Sequence, residues 1–391
     1  MRQMHPRRLS LIMTIIMFIV CILGSSVFAA EPKKGVAQLD TTAESAVLMD
    51  GNGTVLFEKD SHKRLPPASV TKAMTLLLAI EAVEEGKVKL TDPVTTSEGA
   101  WRQGGSQIWL EPGETMTLHE MLISLAVVSA NDAAVSVMEH IFGSQQAAVD
   151  AMNKRAQSLG LNDTHFANVN GLPIADHYMS AYDTALIVKE AVRHPLYMEL
   201  CSIKEYWLRG GKNWLVNTNK LLWWYKGADG LKTGWTEEAK YCFAGTAKRD
   251  GLRLISVVFA TPEPRSHLRE SMKLMDWGFA NYAAVPIVDA GTVVERLKVN
   301  KGTEKEVQLV AAEDLNLILA KGQGKNIQKK IITEPIIAAP IEQGQKYGEL
   351  IVLKDGKEIG KVDLVAEKTI EKAGFFRIFH DMISNLFNIS K

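Results

Sequence analysis

The sequence predicts an α/β (α+β) protein, in which an antiparallel sheet covered by helices precedes a small all-β region and a C-terminal amphipathic helix. Three patterns carry this prediction. Strand-like runs stand at both ends of residues 46–282, with helical segments between them. Short alternating runs separated by turns follow Pro286, and helical periodicity returns at Phe375.

The composition of the chain argues against several classes of function. A chain of 391 residues is too long for one core of ordinary size. Its 45 basic and 45 acidic residues leave no net charge, so we predict no nucleic-acid partner. The nine histidines show no paired metal-binding spacing, and no metal or other cofactor is expected. Cys201 and Cys242 are predicted to be buried thiols, with one disulfide between them as the alternative.

The N-terminus has the pattern of a secretory signal peptide over residues 1–29. A positively charged head precedes an apolar run over residues 9–23, and short side chains follow at Val27 and Ala29. The alternative is an uncleaved transmembrane helix, which needs about 20 apolar residues. The pattern therefore predicts an exported protein.

The elements of the first region follow from local patterns. Residues 46–57 are typical of two strands around a glycine-rich turn. The apolar run over residues 70–83 indicates a helix that is buried on most sides. The later predicted elements are strands over residues 230–233, 241–247 and 252–260 and a helix over about 265–282.

The second region and the C-terminus differ in periodicity. Residues 375–389 place four phenylalanines and other apolar side chains on one half of a helix, which predicts a helix lying on a membrane surface without spanning it. The alternative is a helix docked on the protein's own β region. The six predicted strands before it cover residues 293–299, 306–310, 315–319, 330–333, 350–354 and 361–365.

Three short sequence motifs follow one another along the first region. Each is common by chance, but together in an exported chain they indicate a nucleophilic enzyme. They are Ser69-Val70-Thr71-Lys72, Ser129-Ala130-Asn131 and Lys232-Thr233-Gly234.

The first motif has the chemistry of an activated serine. A serine hydroxyl needs a base within hydrogen-bond reach, and a spacing of three residues on a helix puts Lys72 on the same face as Ser69. Lysine acts as a base only when its neutral form is favoured. Burial in an apolar helix and a second cation nearby, for which Lys232 is the candidate, both favour that form.

These motifs and four further stretches resemble low-molecular-mass penicillin-binding proteins of the D-alanyl-D-alanine carboxypeptidase type, peptidase family S11. The resemblance covers the mature chain and is closest to the sporulation-associated branch. It implies a fold like the transpeptidase domain shared by penicillin-binding proteins and β-lactamases. The further stretches are Gly104-Gly105-Ser106-Gln107, Asn217-Thr218-Asn219-Lys220-Leu221-Leu222, Gly227-Ala228-Asp229-Gly230-Leu231 and Asp276-Trp277-Gly278-Phe279.

The resemblance implies removal of the terminal D-alanine from peptidoglycan stem pentapeptides through an acyl-enzyme on Ser69, and covalent inhibition by β-lactam antibiotics. Ser129 would relay a proton to the leaving amine, and Asn131 would hold a substrate carbonyl. The implied catalytic residues are Ser69, Lys72 and Ser129, and the implied substrate-binding residues are Asn131, Lys232, Thr233, Gly234 and Trp235. In this set Lys232 and Thr233 would bind the terminal carboxylate, and the N–H groups of Ser69 and Trp235 would form the oxyanion hole.

The predicted organisation places the enzyme at the outer face of the cytoplasmic membrane, held there by its C-terminal helix. One departure from the family is Lys240, which stands where a glycine is usual. Arg265 is either a further cation for the carboxylate or a surface arginine. The predicted segments are a signal peptide (1–29), a serine DD-peptidase domain (30–283), a β-rich domain (284–368) and the membrane-anchor helix (369–391).

Two alternatives to a carboxypeptidase stay open. A class A β-lactamase would usually have aspartate in place of Ala130 and a glutamate-bearing deacylation loop, which the sequence lacks. A non-catalytic wall-binding or penicillin-sensing protein is disfavoured by the intact motifs, because a retired site tends to lose costly buried lysines.

Overall fold

The computed structural model describes residues 39–374, which form a helix-rich region followed by a β region. The predicted order of an α/β part and a smaller all-β part is confirmed. The proposed signal peptide and residues 375–391 of the proposed anchor helix lie outside the described residues. Among the residues described, no helix is both long and apolar enough to cross a membrane.

An antiparallel five-stranded sheet forms the framework of the helix-rich region. Its strand order is β2-β1-β9-β8-β7, so β7 lies at one edge. Two antiparallel strand pairs, β3–β4 and β5–β6, stand outside this sheet. The strands of the region are β1 (Ser45–Asp50), β2 (Val55–Lys59), β3 (Pro93–Thr95), β4 (Thr115–Thr117), β5 (Glu205–Leu208), β6 (Asn213–Val216), β7 (Ala228–Thr236), β8 (Lys240–Arg249) and β9 (Leu252–Thr261).

Strands adjacent in sequence pair throughout the sheet, except where β1 pairs with β9. The turn between β8 and β9 is Asp250-Gly251, and both residues have positive φ, at 48° and 80°. Such a turn matches the twist of the two strands it joins. The three predicted strands of this part are confirmed, each one to five residues longer than predicted.

Residues 39–374 contain nine α-helices, which accompany this sheet, and a single turn of 3-10 helix (Ala68–Thr71) precedes the first. The helix predicted over residues 70–83 thus starts as a 3-10 turn, and Ser69 lies within that turn. The helices are α1 (Lys72–Glu84), α2 (Glu98–Trp101), α3 (Leu118–Val128), α4 (Asn131–Phe142), α5 (Gln145–Ser158), α6 (Ala181–Ala191), α7 (Pro195–Ser202), α8 (Leu221–Trp224) and α9 (Ser266–Asn281).

The helix α1 is buried on most sides, as its composition predicts. Buried side chains occur in each of its turns, including Met74, Leu77 and Ile80, and they pack into the main apolar core. Cys201 and Cys242 are buried free thiols, so the prediction of two unpaired cysteines is confirmed.

The β region contains a six-stranded sheet in the order β14-β16-β17-β12-β11-β15 and a separate β10–β13 pair. All six predicted strands are confirmed, whereas β10 and the three-residue β15 were not predicted. The strands are β10 (Tyr282–Val288), β11 (Val293–Asn300), β12 (Glu306–Ala311), β13 (Leu315–Ala320), β14 (Ile327–Thr333), β15 (Ile336–Ala338), β16 (Lys346–Lys354) and β17 (Lys357–Ala366).

The end of the described chain belongs to the β region. Ile370 pairs with Ile341, and Lys372 pairs with Gly302. The segment predicted as the anchor helix begins at residue 369, but residues 369–374 are not helical. Ile370 is instead buried in the apolar core of the β region.

Candidate active site

The first motif brings a lysine side-chain nitrogen against a serine hydroxyl. Lys72 Nζ donates a hydrogen bond to Ser69 Oγ at 3.0 Å. Ser69 is the second residue of the 3-10 turn, and Lys72 is the first residue of α1. Ala68, just before the serine, has φ 48°, a left-handed conformation that non-glycine residues rarely adopt. The pair is therefore held by a specific backbone geometry at the start of a buried helix.

Lys72 lies in an environment that favours its neutral form. Its side chain is completely buried, and burial lowers its pKa well below the usual value. The positive charge of Lys232 lowers this pKa further, while the negative charge of Asp132 opposes the shift. The two causes predicted from sequence, burial and the charge of Lys232, thus both act on Lys72.

A carbonyl group outside the three motifs also binds Lys72. Its Nζ donates to the backbone oxygen of Asn170 at 2.7 Å. Sequence analysis missed this residue, because a backbone carbonyl gives no side-chain pattern. In the same loop, the carbonyl of Val169 accepts a hydrogen bond from Thr75 Oγ1 at 2.6 Å.

His177 ties this loop to the 3-10 turn. Its Nδ1 accepts the backbone N–H of Ala167 at 3.0 Å, so Nε2 carries the proton and donates to Thr71 Oγ1 at 2.7 Å. The hydroxyl of Thr71 in turn donates to the carbonyl of Ala68 at 2.8 Å. Burial, followed by the charge of His165, lowers the pKa of His177 to about 4, so its imidazole is neutral near pH 7.

The second motif lies at the junction of α3 and α4. Ser129 ends α3 with φ 63°, and Asn131 begins α4. Asn131 Nδ2 donates to the carbonyl of Gly104 at 2.6 Å. Ser129 Oγ and Asn131 Oδ1 are buried and have no hydrogen-bond partner among the described residues. Because buried polar atoms normally have partners, these two oxygens are suited to binding a ligand.

The third motif lies on the edge strand β7, which approaches Ser69 closely. A Cβ atom built on Gly234 would lie 2.9 Å from the carbonyl oxygen of Pro67 and 3.1 Å from the backbone nitrogen of Ser69. Only glycine leaves room for this approach. Trp235 follows on the same edge strand, with 58% of its side chain exposed.

The lysine and threonine of this motif supply polar groups. Lys232 is 4% exposed, and burial lowers its pKa to about 7, with an opposing contribution from Cys201. Its Nζ donates to the carbonyl of Thr233 at 2.7 Å. Thr233 Oγ1 donates to Thr218 Oγ1 at 2.9 Å. Thr218 belongs to a stretch that carried the family resemblance, but the sequence assigned it no role.

Arg265 and an acidic cluster stand apart from these contacts. The guanidinium of Arg265 lies 5.9 Å from the ring centroid of Trp224. Glu81, Glu190 and His194 place ligand atoms within 4.8 Å of one another. Arg155 donates to both carboxylates, at 2.7 Å to Glu190, so an internal cation already balances this cluster.

Comparison with known proteins decides the family. Residues 32–263 match the sequence model of D-alanyl-D-alanine carboxypeptidase, peptidase S11. The chain belongs to the D-alanyl-D-alanine carboxypeptidase family. Residues 282–372 of this carboxypeptidase match the C-terminal domain of penicillin-binding protein 5. The predictions of a serine-type D-Ala-D-Ala carboxypeptidase and of its fold class are confirmed at the level of the family.

Two of the relatives of this carboxypeptidase match it over most of the chain, and a third matches a smaller part. D-alanyl-D-alanine carboxypeptidase DacF of Bacillus subtilis is 42% identical over 90% of this chain and 91% of its own. The crystal structure of penicillin-binding protein 5 from Haemophilus influenzae covers 86% of this chain and 100% of its own, at 33% identity and a TM-score of 0.72. Penicillin-binding protein D2 of Listeria monocytogenes, in its ampicillin-bound form, covers 62% of this chain and 100% of its own, at 30% identity and a TM-score of 0.57.

Proposed function

We propose that this carboxypeptidase removes the terminal D-alanine from peptidoglycan stem pentapeptides through an acyl-enzyme on Ser69. The observation that carries the proposal is the 3.0 Å contact between Ser69 Oγ and the side-chain nitrogen of the fully buried Lys72. Burying a lysine costs folding free energy, and a protein without catalytic activity has no use for the neutral form that burial favours. The buried Lys72 therefore disfavours a non-catalytic protein.

Acylation follows from the positions of the three motifs. Neutral Lys72 takes the proton of Ser69, and Oγ attacks the carbonyl carbon of the penultimate D-alanine. The C–N bond to the terminal D-alanine breaks, and Ser129 relays a proton to the leaving amine. An ester on Ser69 and free D-alanine result. Water then hydrolyses the ester and restores the Ser69 hydroxyl.

Substrate binding uses the edge strand and the second motif. The N–H groups of Ser69 and Trp235 stabilise the oxyanion, and the side chain of Asn131 holds a peptide carbonyl. Protonated Lys232 and the hydroxyl of Thr233 bind the terminal carboxylate. Gly234 lets the strand come close enough for these contacts. The carboxylate anchor makes the enzyme an exopeptidase.

β-Lactam antibiotics react at the same serine. The hydroxyl of Ser69 opens the lactam ring in place of a peptide bond, which leaves the antibiotic attached as an ester. The ampicillin-bound relative supports this part of the proposal.

The place of action is proposed from the sequence. The signal-peptide pattern over residues 1–29 supports export, and the amphipathic pattern after residue 374 supports attachment to the outer face of the cytoplasmic membrane.

The test pairs two substrates with two serine variants. Purified protein is incubated with a labelled pentapeptide ending in D-Ala-D-Ala and, separately, with fluorescent penicillin. The wild type should release D-alanine and become covalently labelled, and Ser69→Ala should do neither. Ser202→Ala, an exposed serine on α7, is the matched control and should behave as wild type. Labelling of the Ser69→Ala protein would place the nucleophile elsewhere.

A further inference from the structure

A buried carboxylate follows the second motif directly, and the proposed mechanism gives it no role. Asp132 is the second residue of α4 and is 1% exposed. Its carboxylate accepts the backbone N–H groups of Ile108 and Leu110, each at 3.1 Å, and that of Ala133 at 2.9 Å. Within residues 39–374 it forms no ion pair. Burying a charge without a counter-ion costs folding free energy, so we expect this carboxylate to have a role besides packing.

The hydrogen bonds of Asp132 fix the loop over residues 104–110, which we call the braced loop. Trp109 stands between the N–H donors of Ile108 and Leu110, with φ 58° and 78% of its side chain exposed. A bulky residue adopts this left-handed conformation only where its surroundings impose it. Arg209 Nη1 adds a second contact, because it donates to the carbonyl of Ile108 at 3.0 Å. The backbone on both sides of Trp109 is therefore held in place.

The braced loop also contacts the second motif. The carbonyl of Gly104 accepts Asn131 Nδ2 at 2.6 Å, and the carbonyl of Ser106 accepts the backbone N–H of Asn131 at 2.7 Å. One end of the loop is thus tied to Asn131 and the other end to Asp132. A shift of the loop would turn the side-chain amide of Asn131, whose Oδ1 has no partner among the described residues. Asp132 therefore helps to orient a group that is proposed to bind the substrate.

Asp132 acts on the proposed general base as well. Its negative charge raises the pKa of Lys72, whereas burial and the charge of Lys232 lower it. During acylation Lys72 takes the proton of Ser69 and becomes an ammonium group, which a nearby negative charge stabilises. The pKa of Lys232 depends instead on burial and on Cys201. We therefore expect the charge of Asp132 to affect the proton acceptor and not the carboxylate anchor.

We propose that Asp132 is a positioning residue for acylation, whose carboxylate fixes the braced loop against Asn131 and whose charge stabilises the ammonium form of Lys72. This inference rests on the proposed function, because it needs Lys72 to accept the proton of Ser69. Asp132 is buried and acts through these neighbours. The charge and the hydrogen bonds of one carboxylate thus link the second motif to the base of the first.

The experiment measures the second-order rate constant for labelling by fluorescent penicillin between about pH 4.5 and pH 9. Asp132→Asn and Asp132→Ser both remove the charge, and Asp132→Glu keeps the charge but displaces the carboxylate by one methylene group. Asp150→Asn is the matched control, because it removes an exposed carboxylate on α5. Thermal unfolding of each protein shows whether it is folded.

The wild-type rate constant should rise with pH as Lys72 loses its proton. In both neutral variants this rise should lie about one pH unit lower, because a nearby negative charge no longer favours the ammonium form. The maximum rate should fall by about tenfold in these variants and in Asp132→Glu, since the braced loop shifts in all three. Asp132→Glu should keep the rise at the wild-type pH, and Asp150→Asn should behave as wild type. Penicillin has a free carboxylate, so the rate should also fall above pH 7 as Lys232 loses its charge, and this fall should not move.

A merely structural role would lower the rate without moving its rise. The proposal is therefore overturned by a rise at the wild-type pH in a folded neutral variant, or by a wild-type rate that shows no rise in this pH range. Unfolding of both neutral variants would place Asp132 in folding alone and would also count against the proposal. Absence of labelling in the wild type at every pH would instead overturn the proposed function.

Discussion

The positive charge of Lys232 lowers the pKa of the buried side-chain amine of Lys72. Both lysines are also deprived of water, which disfavours their charged forms. A charged Lys232 therefore favours a neutral Lys72. This division supports the proposed roles of Lys72 as the proton acceptor and of Lys232 as the carboxylate anchor.

The first prediction concerns pH. The pKa of Lys232 is about 7, so its positive charge is lost as pH rises through that value. For peptides with a free C-terminal carboxylate, kcat/KM should fall above pH 7 by up to about tenfold per pH unit. The same peptides amidated at the C-terminus should show no such fall, and neither should Lys232→Ala. If kcat/KM fell above pH 7 for the amidated peptides as well, a group other than Lys232 would cause the fall.

The second prediction separates charge from basicity at position 72. Lys72→Arg keeps a cation but removes the proton acceptor, because a guanidinium stays protonated in proteins. Penicillin acylation should slow by about 100-fold to 10,000-fold, the usual contribution of general-base catalysis. The measurement is the second-order rate constant for labelling by fluorescent penicillin. A loss below tenfold would mean that another group accepts the proton.

The third prediction concerns the close approach of β7 to the 3-10 turn. Gly234→Ala would put a Cβ 2.9 Å from the carbonyl oxygen of Pro67, so the strand or the turn must move. Since small displacements at a reacting centre are costly, acylation should fall by about tenfold or more. Gly324→Ala is the control, because its nearest neighbour would lie 3.9 Å away. Equal acylation rates in the two variants would contradict the steric argument.

The fourth prediction concerns acid stability. His177 stays neutral in the folded protein, with a pKa of about 4, whereas in the unfolded chain its pKa is near 6.5. Below pH 6.5 the unfolded chain binds the extra proton, so the free energy of unfolding should fall as pH drops from about 6.5 to 4. The loss is of order 2 kcal/mol by pH 5. His177→Gln should be less stable at pH 7 and should lose less between pH 7 and pH 5, as measured by urea unfolding. An unchanged pH slope would contradict the assignment.

The fifth prediction concerns the C-terminus. A chain that ends at Gly374 keeps the pairing of Ile370 with Ile341. It should fold, cleave soluble pentapeptide and no longer sediment with membranes. A chain that ends at Thr369 loses the buried Ile370 and should be less stable by about 1.5–3 kcal/mol. Membrane sedimentation of the chain that ends at Gly374 would place the anchor elsewhere.

Sequence alone predicted the chemistry of the first motif, because spacing along one helix is a local property. Ser69 and Lys72 are three residues apart, and the apolar run after them predicted the burial that lowers the pKa of Lys72. Strand patterns were equally local, so the strands of the five-stranded sheet and six strands of the β region were predicted, whereas the short strands β3 to β6 and most helices of the first region were not. The short β15 has too few residues to show a period, and β10 follows α9 without a turn.

Tertiary structure decided which groups meet across long stretches of chain. Asn170 binds Lys72 through a backbone oxygen, which any residue type could supply, so no sequence pattern identifies it. Thr218 meets Thr233 only because an edge strand lies beside the segment that follows β6. Local periodicity determines the elements, whereas a site needs distances between elements, which only their packing sets.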